Sequence, residues 1–346
     1  MKIPILNLYY MLSYSWNCLD EEGILKVNHS DFNSLKQLFS KILSNGCTHL
    51  IKRGLDRSYI LVSEEYRGIK GKFNIHESVS RLLHKQGKAV CEYDELDYNI
   101  IHNQIIKSTI HILLRDKELD LTIHSELKKL YQNFHKVDLI QLNQSVFRKV
   151  NIHKNIRHYD LLLRVCKFIY DNSTLNENSG TLVFTDFIRD DKKMAVLFQS
   201  FVRNFYKSEQ SKFKVKGEDI YWAFMPIGNS DMSFLPKMQT DITLENAISK
   251  VIIDTKYYSK TLANNYKETF HSHNLYQLFS YLINQEDKSK DSKFLTCTGI
   301  LLYPQVDKEL DEHYMYKEHR ITVKTINLDS DWQNIKKELL NLLDNV

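Results

Sequence analysis

Hydrophobic positions in the second half of the chain follow the period of a strand in some segments and the period of a helix in others. Residues 251–253 form a β-branched run, which predicts a buried strand. Residues 238–244 alternate between apolar and polar side chains, and the polar turn at 245–247 predicts a hairpin between the two segments. Residues 274–282 have helical spacing, and residues 299–304 form another buried-strand pattern ended by a proline. The predicted order is strand, strand, helix, strand.

Further elements of both kinds flank this core. Residues 181–185 form a short strand pattern, and residues 194–206 have the spacing of a helix. Near the end of the chain, residues 321–326 form another strand pattern, and an amphipathic helix follows. The apolar face of that helix consists of Ile335, Leu339, Leu342 and Leu343. Together these patterns predict an α/β fold with a mixed sheet flanked by helices.

The first half of the chain mixes the two kinds of pattern differently. Helical spacing over residues 32–43 and 105–114 alternates with short strand patterns at 60–62 and 72–75. This arrangement predicts a mixed α+β fold. The first half shows no residue set that would support catalysis.

A polar stretch at residues 172–180 interrupts both patterns and predicts a domain boundary. The chain has 346 residues, of which 42% are hydrophobic, enough to bury two cores. We therefore predict an N-terminal domain of residues 1–175 and a C-terminal domain of residues 176–346.

Three charged residues of the C-terminal domain suit the hydrolysis of a phosphodiester. Period two along the strand places Asp254 and Lys256 on one face, and the hairpin brings Asp241 beside them. Carboxylates are hard oxygen ligands for Mg²⁺, which clamps phosphoryl oxygens and activates water. Asp241 and Asp254 are therefore candidate metal ligands, and the backbone carbonyl of Thr255 is a candidate third ligand. Lys256 is a candidate to orient the attacking water or to neutralise charge on the phosphate.

Two residues on the predicted helix 274–282 can join this site. Gln277 and Tyr281 are four residues apart and therefore lie on one helical face. We predict that this face looks into the same cleft and that both residues are catalytic. The alternative is that Tyr281 belongs to the core with Leu278 and its neighbours.

Other residue types exclude several classes of site. The five cysteines contain no C-x-x-C pair, which argues against a zinc ribbon or a redox motif. His271 and His273 have no third ligand nearby and fit the entry of a helix better than a zinc site. None of the ten glycines belongs to a phosphate-binding G-x4-G-K-[ST] loop, so any nucleotide hydrolysis would come from a partner.

The sequence also bears on where the protein acts. No segment has the length and apolar character of a membrane span. Polar residues interrupt the apolar run at the start of the sequence, which argues against a secretory signal. We predict a cytoplasmic protein without membrane contact.

Formal net charge is only +4, so local basic clusters matter more than the total. Arg203, Lys207 and Lys214 lie in a basic segment with Lys212 and Lys216, and are candidate contacts to DNA phosphates. A second basic cluster consists of Arg148, Lys149, Lys154 and Arg157. The alternative for each cluster is ordinary solvated surface.

The spacing D-x12-D-x-K followed by Q-x3-Y resembles the PD-(D/E)XK nuclease superfamily, in its RecB-like branch. The segment 4–16 resembles the opening of the McrC family, the nuclease subunits of McrBC modification-dependent restriction systems. Further positions fit that family in the same order: Arg53-Gly54-Leu55, Gly68 to Lys72, Asn103 with Lys107, and Cys166 to Ile169. The resemblance covers nearly the whole chain.

This resemblance implies a Mg²⁺-dependent DNA endonuclease that cuts double-stranded DNA containing modified cytosines such as 5-methylcytosine. It also implies that the N-terminal domain docks into a ring of McrB, an AAA+ GTPase, and stimulates GTP hydrolysis. Arg53, Gly68 and Lys70 are candidate contacts to that partner, although the turn from Gly68 to Gly71 could instead shape a hairpin.

One position departs from the superfamily pattern. Many PD-(D/E)XK nucleases carry a glutamate on the first helix of the domain, where this chain offers Gln199. An amide is a weaker metal ligand, so the number of metal ions stays open. The amide is compatible with one alternative function, a non-catalytic activator of a partner NTPase. A second alternative, independent of this position, is a RecB-like nuclease acting with a helicase.

Overall fold

The computed structural model of the protein describes residues 3–17, 34–152, 158–175, 182–184, 187–258, 262–264, 268–286 and 292–344. The chain divides into two compact units. One consists of Met1–Asp20 with Asp186–Val346, and the other of Glu21–Thr185. No helix in the described parts of the chain is both long enough and apolar enough to cross a membrane.

The α-helices of the described residues are, in chain order, α1 Ile5–Trp16, α2 Leu35–Arg53, α3 Ile75–Ser80, α4 Ile101–Leu114, α5 Leu121–Gln132, α6 Gln144–Arg148, α7 Asp160–Asn172, α8 Asp191–Glu209, α9 Ser272–Glu286, α10 Ser292–Leu295 and α11 Trp332–Asn341. Several begin at a side-chain cap. Asp190 accepts a hydrogen bond from the backbone N–H of Lys193 at the start of α8, and Asp331 does the same for Gln333 at the start of α11.

The strands of the same residues are β1 Ser58–Arg67, β2 Lys72–Phe73, β3 Lys88–Asp97, β4 Ser173–Leu175, β5 Leu182–Phe184, β6 Lys214–Lys216, β7 Asp219–Ile220, β8 Met238–Gln239, β9 Ile242–Glu245, β10 Lys250–Thr255, β11 Ala263–Asn264, β12 Glu268–Thr269, β13 Thr298–Pro304, β14 Asp311–Tyr316 and β15 His319–Ile326. Most of the predicted elements are present with longer bounds. The predicted strand at 72–75 ends at Phe73, because Asn74 caps α3. Strand β14 was not predicted.

A six-stranded mixed sheet, in the order β14-β15-β13-β10-β9-β6, forms the centre of the first unit. Strands β10, β13 and β15 are parallel to one another, whereas the pairs β9–β10, β6–β9 and β14–β15 are antiparallel. The predicted hairpin at 245–247 is therefore present. Every residue of β10 and β13 is buried, as expected for strands covered on both faces.

Helix α9 covers one face of this sheet. Leu278 and Leu282 of the helix pack in one apolar cluster with Ile252 of β10 and Leu301 of β13. Gly299 permits the close approach, because a Cβ atom there would lie 3.0 Å from both leucine side chains. The predicted mixed sheet flanked by helices is thus confirmed.

Helix α1 packs against α8 in the same unit. The ring of Tyr14 lies 5.8 Å from that of Phe201 and 5.4 Å from that of Phe205. The side-chain amide of Asn7 donates to the backbone carbonyls of Leu328 and Ser330. The predicted division into residues 1–175 and 176–346 therefore differs from the structure, since the first helix folds with the C-terminal part.

The second unit contains helices α2 to α7 and the three-stranded sheet β1-β3-β2. Strand β5, predicted to open the C-terminal domain, pairs instead with β4 in this unit. At its centre Asn103 donates to the backbone carbonyls of Asp56 and Tyr98 and accepts from the hydroxyl of Tyr159. These hydrogen bonds explain how a fully buried amide is accommodated.

Candidate active site

Asp254 and Lys256 meet at the carboxyl end of β10. Asp254 is fully buried, and the ammonium nitrogen Nζ of Lys256 lies 3.1 Å from its Oδ1 and 2.9 Å from its Oδ2. The alternation of the strand puts both side chains on the face covered by α9, as predicted. The backbone N–H of Lys256 donates to the carbonyl of Leu302, which fixes the end of the strand in the sheet.

The second carboxylate oxygen of Asp254, Oδ2, contacts only the ammonium of Lys256 among the described residues. Oδ2 is buried and receives no hydrogen bond of acceptable geometry from the described residues, although it lies within ion-pair distance of Lys256. Burial raises the pKa of Asp254 to about 6, Lys256 opposes that rise, and the nearby charge of Asp241 adds to it. A buried oxygen of this kind is a strong candidate to bind a cation.

Asp241 lies between β8 and β9, and its carboxylate is held by hydrogen bonds on both oxygens. Oδ2 accepts from the backbone N–H and from the hydroxyl of Thr255, each at 2.9 Å. Oδ1 accepts from the side-chain amide of Gln199 at 2.8 Å. The two aspartates predicted as metal ligands are therefore brought to the same end of β10.

Helix α8 supplies a further contact to Asp241. The guanidinium of Arg203 donates from Nε, at 2.9 Å, and from Nη2 to the backbone carbonyl of Asp241. Arg203 was predicted as a contact to DNA, and its role at Asp241 was not foreseen from the sequence. The only sequence signal would have been its spacing of four residues from Gln199, which places both on one helical face.

Lys256 is connected to α9 through a chain of hydrogen bonds. Its Nζ donates to Oε1 of Gln277 at 2.9 Å, and Nε2 of Gln277 donates to the hydroxyl of Tyr281 at 2.7 Å. That hydroxyl donates to the backbone carbonyl of Gln239 at 2.8 Å. Burial raises the pKa of Tyr281 to about 12, so the phenol stays protonated at neutral pH. Tyr281 is buried in the core and also joined to the cluster by hydrogen bonds, and its catalytic role stays a prediction.

The residues predicted to contact DNA differ in their surroundings. Lys207 and Lys214 are exposed, whereas Arg203 is half-buried against Asp241. Lys216 of the same basic segment pairs with Glu245 at 3.0 Å. In the second basic cluster Arg148 and Lys149 are exposed, and Lys154 and Arg157 lie outside the described residues.

The residues predicted to contact a partner lie in the second unit. Arg53 is exposed at the end of α2, and Gly68 and Lys70 lie in the turn between β1 and β2. The ammonium of Lys70 lies over the ring of Tyr93 at 3.5 Å. Gly68 has a φ of 102°, and a Cβ on Gly71 would approach the backbone oxygen of Glu92 to 2.4 Å. The glycines are therefore required by the shape of this turn.

Among the residues that the structure describes, no group of three or more His, Cys, Asp and Glu side chains could hold a metal ion. His273 hydrogen-bonds to the hydroxyl of Tyr258 and lies at the start of α9, which fits its predicted place at a helix entry. A cation at the candidate site would thus rely on Asp241, Asp254 and non-carboxylate oxygens.

Fold and site together define a mixed α/β protein in which two aspartates and a lysine converge at the end of a central strand. The chain belongs to the family described as "McrBC 5-methylcytosine restriction system component", whose family model matches residues 6–304. The resemblance to McrC stated from the sequence is thereby confirmed.

Two further similarities agree with this membership. The chain is 33% identical over 343 residues to the Escherichia coli (strain K12) protein "Type IV methyl-directed restriction enzyme EcoKMcrBC", covering 99% of this chain and 97% of that protein. Its fold is similar to that of a chain in the "Refined half-complex from tetradecameric assembly of Thermococcus gammatolerans McrB AAA+ hexamers with bound McrC", with a TM-score of 0.61 at 17% identity. That likeness covers 98% of this chain and 76% of the other.

Proposed function

We propose that this chain is the Mg²⁺-dependent endonuclease subunit of a restriction complex that cuts DNA containing 5-methylcytosine and is driven by an McrB-like AAA+ GTPase. The observation that carries the proposal is the convergence of Asp241, Asp254 and Lys256 in the first unit, with the carboxylate of Asp254 fully buried and ion-paired with Lys256. Membership in the McrBC family supplies the biological setting.

The residues present fit a magnesium ion. Asp254 Oδ2 and the carboxylate of Asp241 would bind it, with the backbone carbonyl of Thr255 as a third oxygen ligand. When bound, Mg²⁺ would neutralise charge on the scissile phosphate and acidify a coordinated water. A magnesium ion retains waters and phosphate oxygens as further ligands, so two carboxylates are a sufficient protein contribution.

Lys256 carries the remaining part of the chemistry. Its ammonium, held between Asp254 and Gln277, orients the attacking water or stabilises negative charge on the phosphoryl oxygens. Gln277 and Tyr281 restrict the rotamers of the lysine from the side of α9. Lys207 and Lys214, both exposed, are the candidates for contacts to the DNA backbone.

The partner surface that we propose lies in the second unit. Strand β1 is an edge strand and carries exposed apolar side chains, Tyr59 and Leu61, and Ile69 follows in the next turn. Exposed apolar side chains on a sheet edge are typical of a surface that is covered in a complex. Arg53, Gly68 and Lys70 flank this edge in the chain, which supports docking of the GTPase here.

The decisive experiment mixes the protein with its cognate GTPase, GTP, Mg²⁺ and cytosine-methylated plasmid. Wild type is compared with Asp254→Ala, and both cleavage and GTP hydrolysis are measured. We expect cleavage to disappear in the variant while stimulated GTP hydrolysis persists. If neither protein cuts DNA in any modification state but both stimulate GTP hydrolysis equally, the chain is a non-catalytic activator. Cleavage from DNA ends with a helicase partner would support the RecB-like alternative.

A further inference from the structure

Asp241 does not itself lie in a strand. It lies between Gln239, the last residue of β8, and Ile242, the first residue of β9. A metal ligand outside a strand needs other contacts to hold it within the narrow geometry that magnesium requires. In this protein those contacts come from Thr255 on one side and from helix α8 on the other.

We propose that α8 is the positioning element of this site, that Gln199 and Arg203 hold Asp241 for the cation, and that the neutral Gln199 limits the site to one divalent ion. The inference rests on the proposed function. It deepens that function by assigning the number of ions and the residues that determine it.

Gln199 and Arg203 hold Asp241 at two different points. Gln199 donates to the carboxylate oxygen Oδ1 and Arg203 donates twice to the backbone carbonyl of the same residue. One turn of α8 separates the two donors, so a single helix fixes both the main chain and the side chain of Asp241. Hydrogen bonds to a ligand's carboxylate of this kind typically change metal affinity by about 10- to 100-fold.

The charges of the cluster favour one cation. Asp241 and Asp254 carry two negative charges and Lys256 one positive charge, so the three side chains leave one net negative charge. A single divalent ion and one phosphodiester anion would bring these three side chains to neutrality, or to one positive charge when Arg203 is included. A second divalent ion would add two further positive charges beside the guanidinium of Arg203 and the buried carboxylate of Asp254. Gln199 touches Asp241 where a third carboxylate could otherwise offset them.

Helix α1 is hydrogen-bonded to α8. The side-chain amide of Asn204, next to Arg203, donates to the backbone carbonyls of Tyr14 and Ser15 at 3.0 and 3.1 Å. These carbonyls belong to the last turn of α1, and that of Tyr14 also accepts from the backbone N–H of Asn17. A continuous set of contacts therefore runs from the first helix through α8 to the metal ligand.

The test counts Mn²⁺ ions bound by the full-length protein without DNA or partner, by electron paramagnetic resonance of the free ion, with Mg²⁺ as competitor. Wild type is compared with Gln199→Glu, Gln199→Ala and Arg203→Lys. Val196→Glu is the matched control, because it adds the same charge to the same helix at an exposed position. Thermal unfolding of each variant establishes that it is folded.

We expect one ion per wild-type chain that Mg²⁺ displaces, and about tenfold weaker binding in Gln199→Ala and Arg203→Lys. Gln199→Glu should bind a second ion or bind the first at least about tenfold more tightly, and Val196→Glu should do neither. Two ions in wild type, or identical behaviour of Gln199→Glu and Val196→Glu, would overturn the inference while leaving the nuclease proposal intact. Absence of any bound ion in folded wild type would overturn the inference, and the cleavage experiment with methylated plasmid would decide the nuclease proposal separately.

Discussion

At the scale of single residues, the proposed chemistry and the stability of the fold place opposite demands on Asp254. Its carboxylate is fully buried, and its pKa of about 6 lies above the value of about 3.9 in an unfolded chain. A carboxyl with a raised pKa destabilises the folded state above that pKa, because ionisation is harder there than in the unfolded chain. This penalty fades as the pH falls through 6 and is absent below about pH 4.

We therefore predict that Asp254→Asn stabilises the protein while removing its proposed activity. The gain in the free energy of unfolding should be on the order of 2 kcal/mol at pH 8 and should vanish near pH 4. Thermal unfolding without divalent ions at both pH values measures it. Asp231→Asn is the control, since hydrogen bonds from Ser233 lower the pKa of the exposed Asp231. A lower melting temperature for Asp254→Asn at pH 8 would contradict the prediction.

Variants of Lys256, Gln277 and Tyr281 should lose cleavage activity to different degrees. Lys256→Met removes the charge beside the phosphate and should lower the rate by about 10²- to 10³-fold. Gln277→Ala and Tyr281→Phe only loosen the lysine, and we expect losses of about tenfold or less. Single-turnover cleavage in the assembled complex measures all three.

The matched control for this series is Tyr276→Phe, which alters an exposed tyrosine on the same helix. It should leave the rate unchanged. If Tyr281→Phe proved as damaging as Lys256→Met, the tyrosine would contact the substrate directly rather than support the lysine.

At the scale of elements, the hydrophobic pattern was most informative where a strand or helix is buried on a recognisable face. The runs that became β10, β13 and β15 were continuous or alternating, and α9 had helical spacing. Strand β14 was not predicted, because all six of its residues are exposed and show no alternation of apolar and polar side chains. The order of elements along the chain was also misleading. Strand β5 lies after the predicted domain boundary, but it pairs with β4 of the second unit.

The candidate site, too, was predicted from the sequence only in part. Strand period and helical spacing predicted that Asp241, Asp254, Lys256, Gln277 and Tyr281 would converge. The inward direction of Arg203 was not predictable, because a basic residue on a helix gives no sign of whether it faces solvent or a backbone carbonyl. That distinction depends on the packing of α8 beside the loop between β8 and β9.

The contact between α1 and α8 leads to a prediction about Asn204. Asn204→Ala removes two hydrogen bonds to the last turn of α1 and should lower the free energy of unfolding by about 1–2 kcal/mol. Thermal or urea unfolding measures the loss, and Ser208→Ala, an exposed change on the same helix, is the control. Equal stability of the two variants would show that apolar packing alone joins the helices.

At the scale of the whole molecule, chain order and folding units do not coincide. The first helix belongs to the unit that carries Asp241 and Asp254, while the intervening residues form the other unit. Sequence patterns locate helices and strands, but they do not say which distant helix covers an apolar face. The match of Tyr14 with Phe201 and Phe205 was therefore visible only in the structure. A division between two units suits the proposed function, in which the protein both engages a GTPase and cuts DNA.

The last prediction separates these two tasks. If the exposed edge of β1 binds the GTPase, Leu61→Ser with Ile69→Ser should abolish stimulation of GTP hydrolysis and weaken complex formation at least about tenfold, because truncating central apolar contacts removes much of the binding energy. The same variant should bind Mn²⁺ as wild type does, since both changes lie outside the first unit. Leu121→Ser, at another exposed leucine of the second unit, is the control and should preserve stimulation. Full stimulation of GTP hydrolysis by the double variant would show that the partner surface does not include β1. Loss of Mn²⁺ binding would mean that the two units depend on each other for folding.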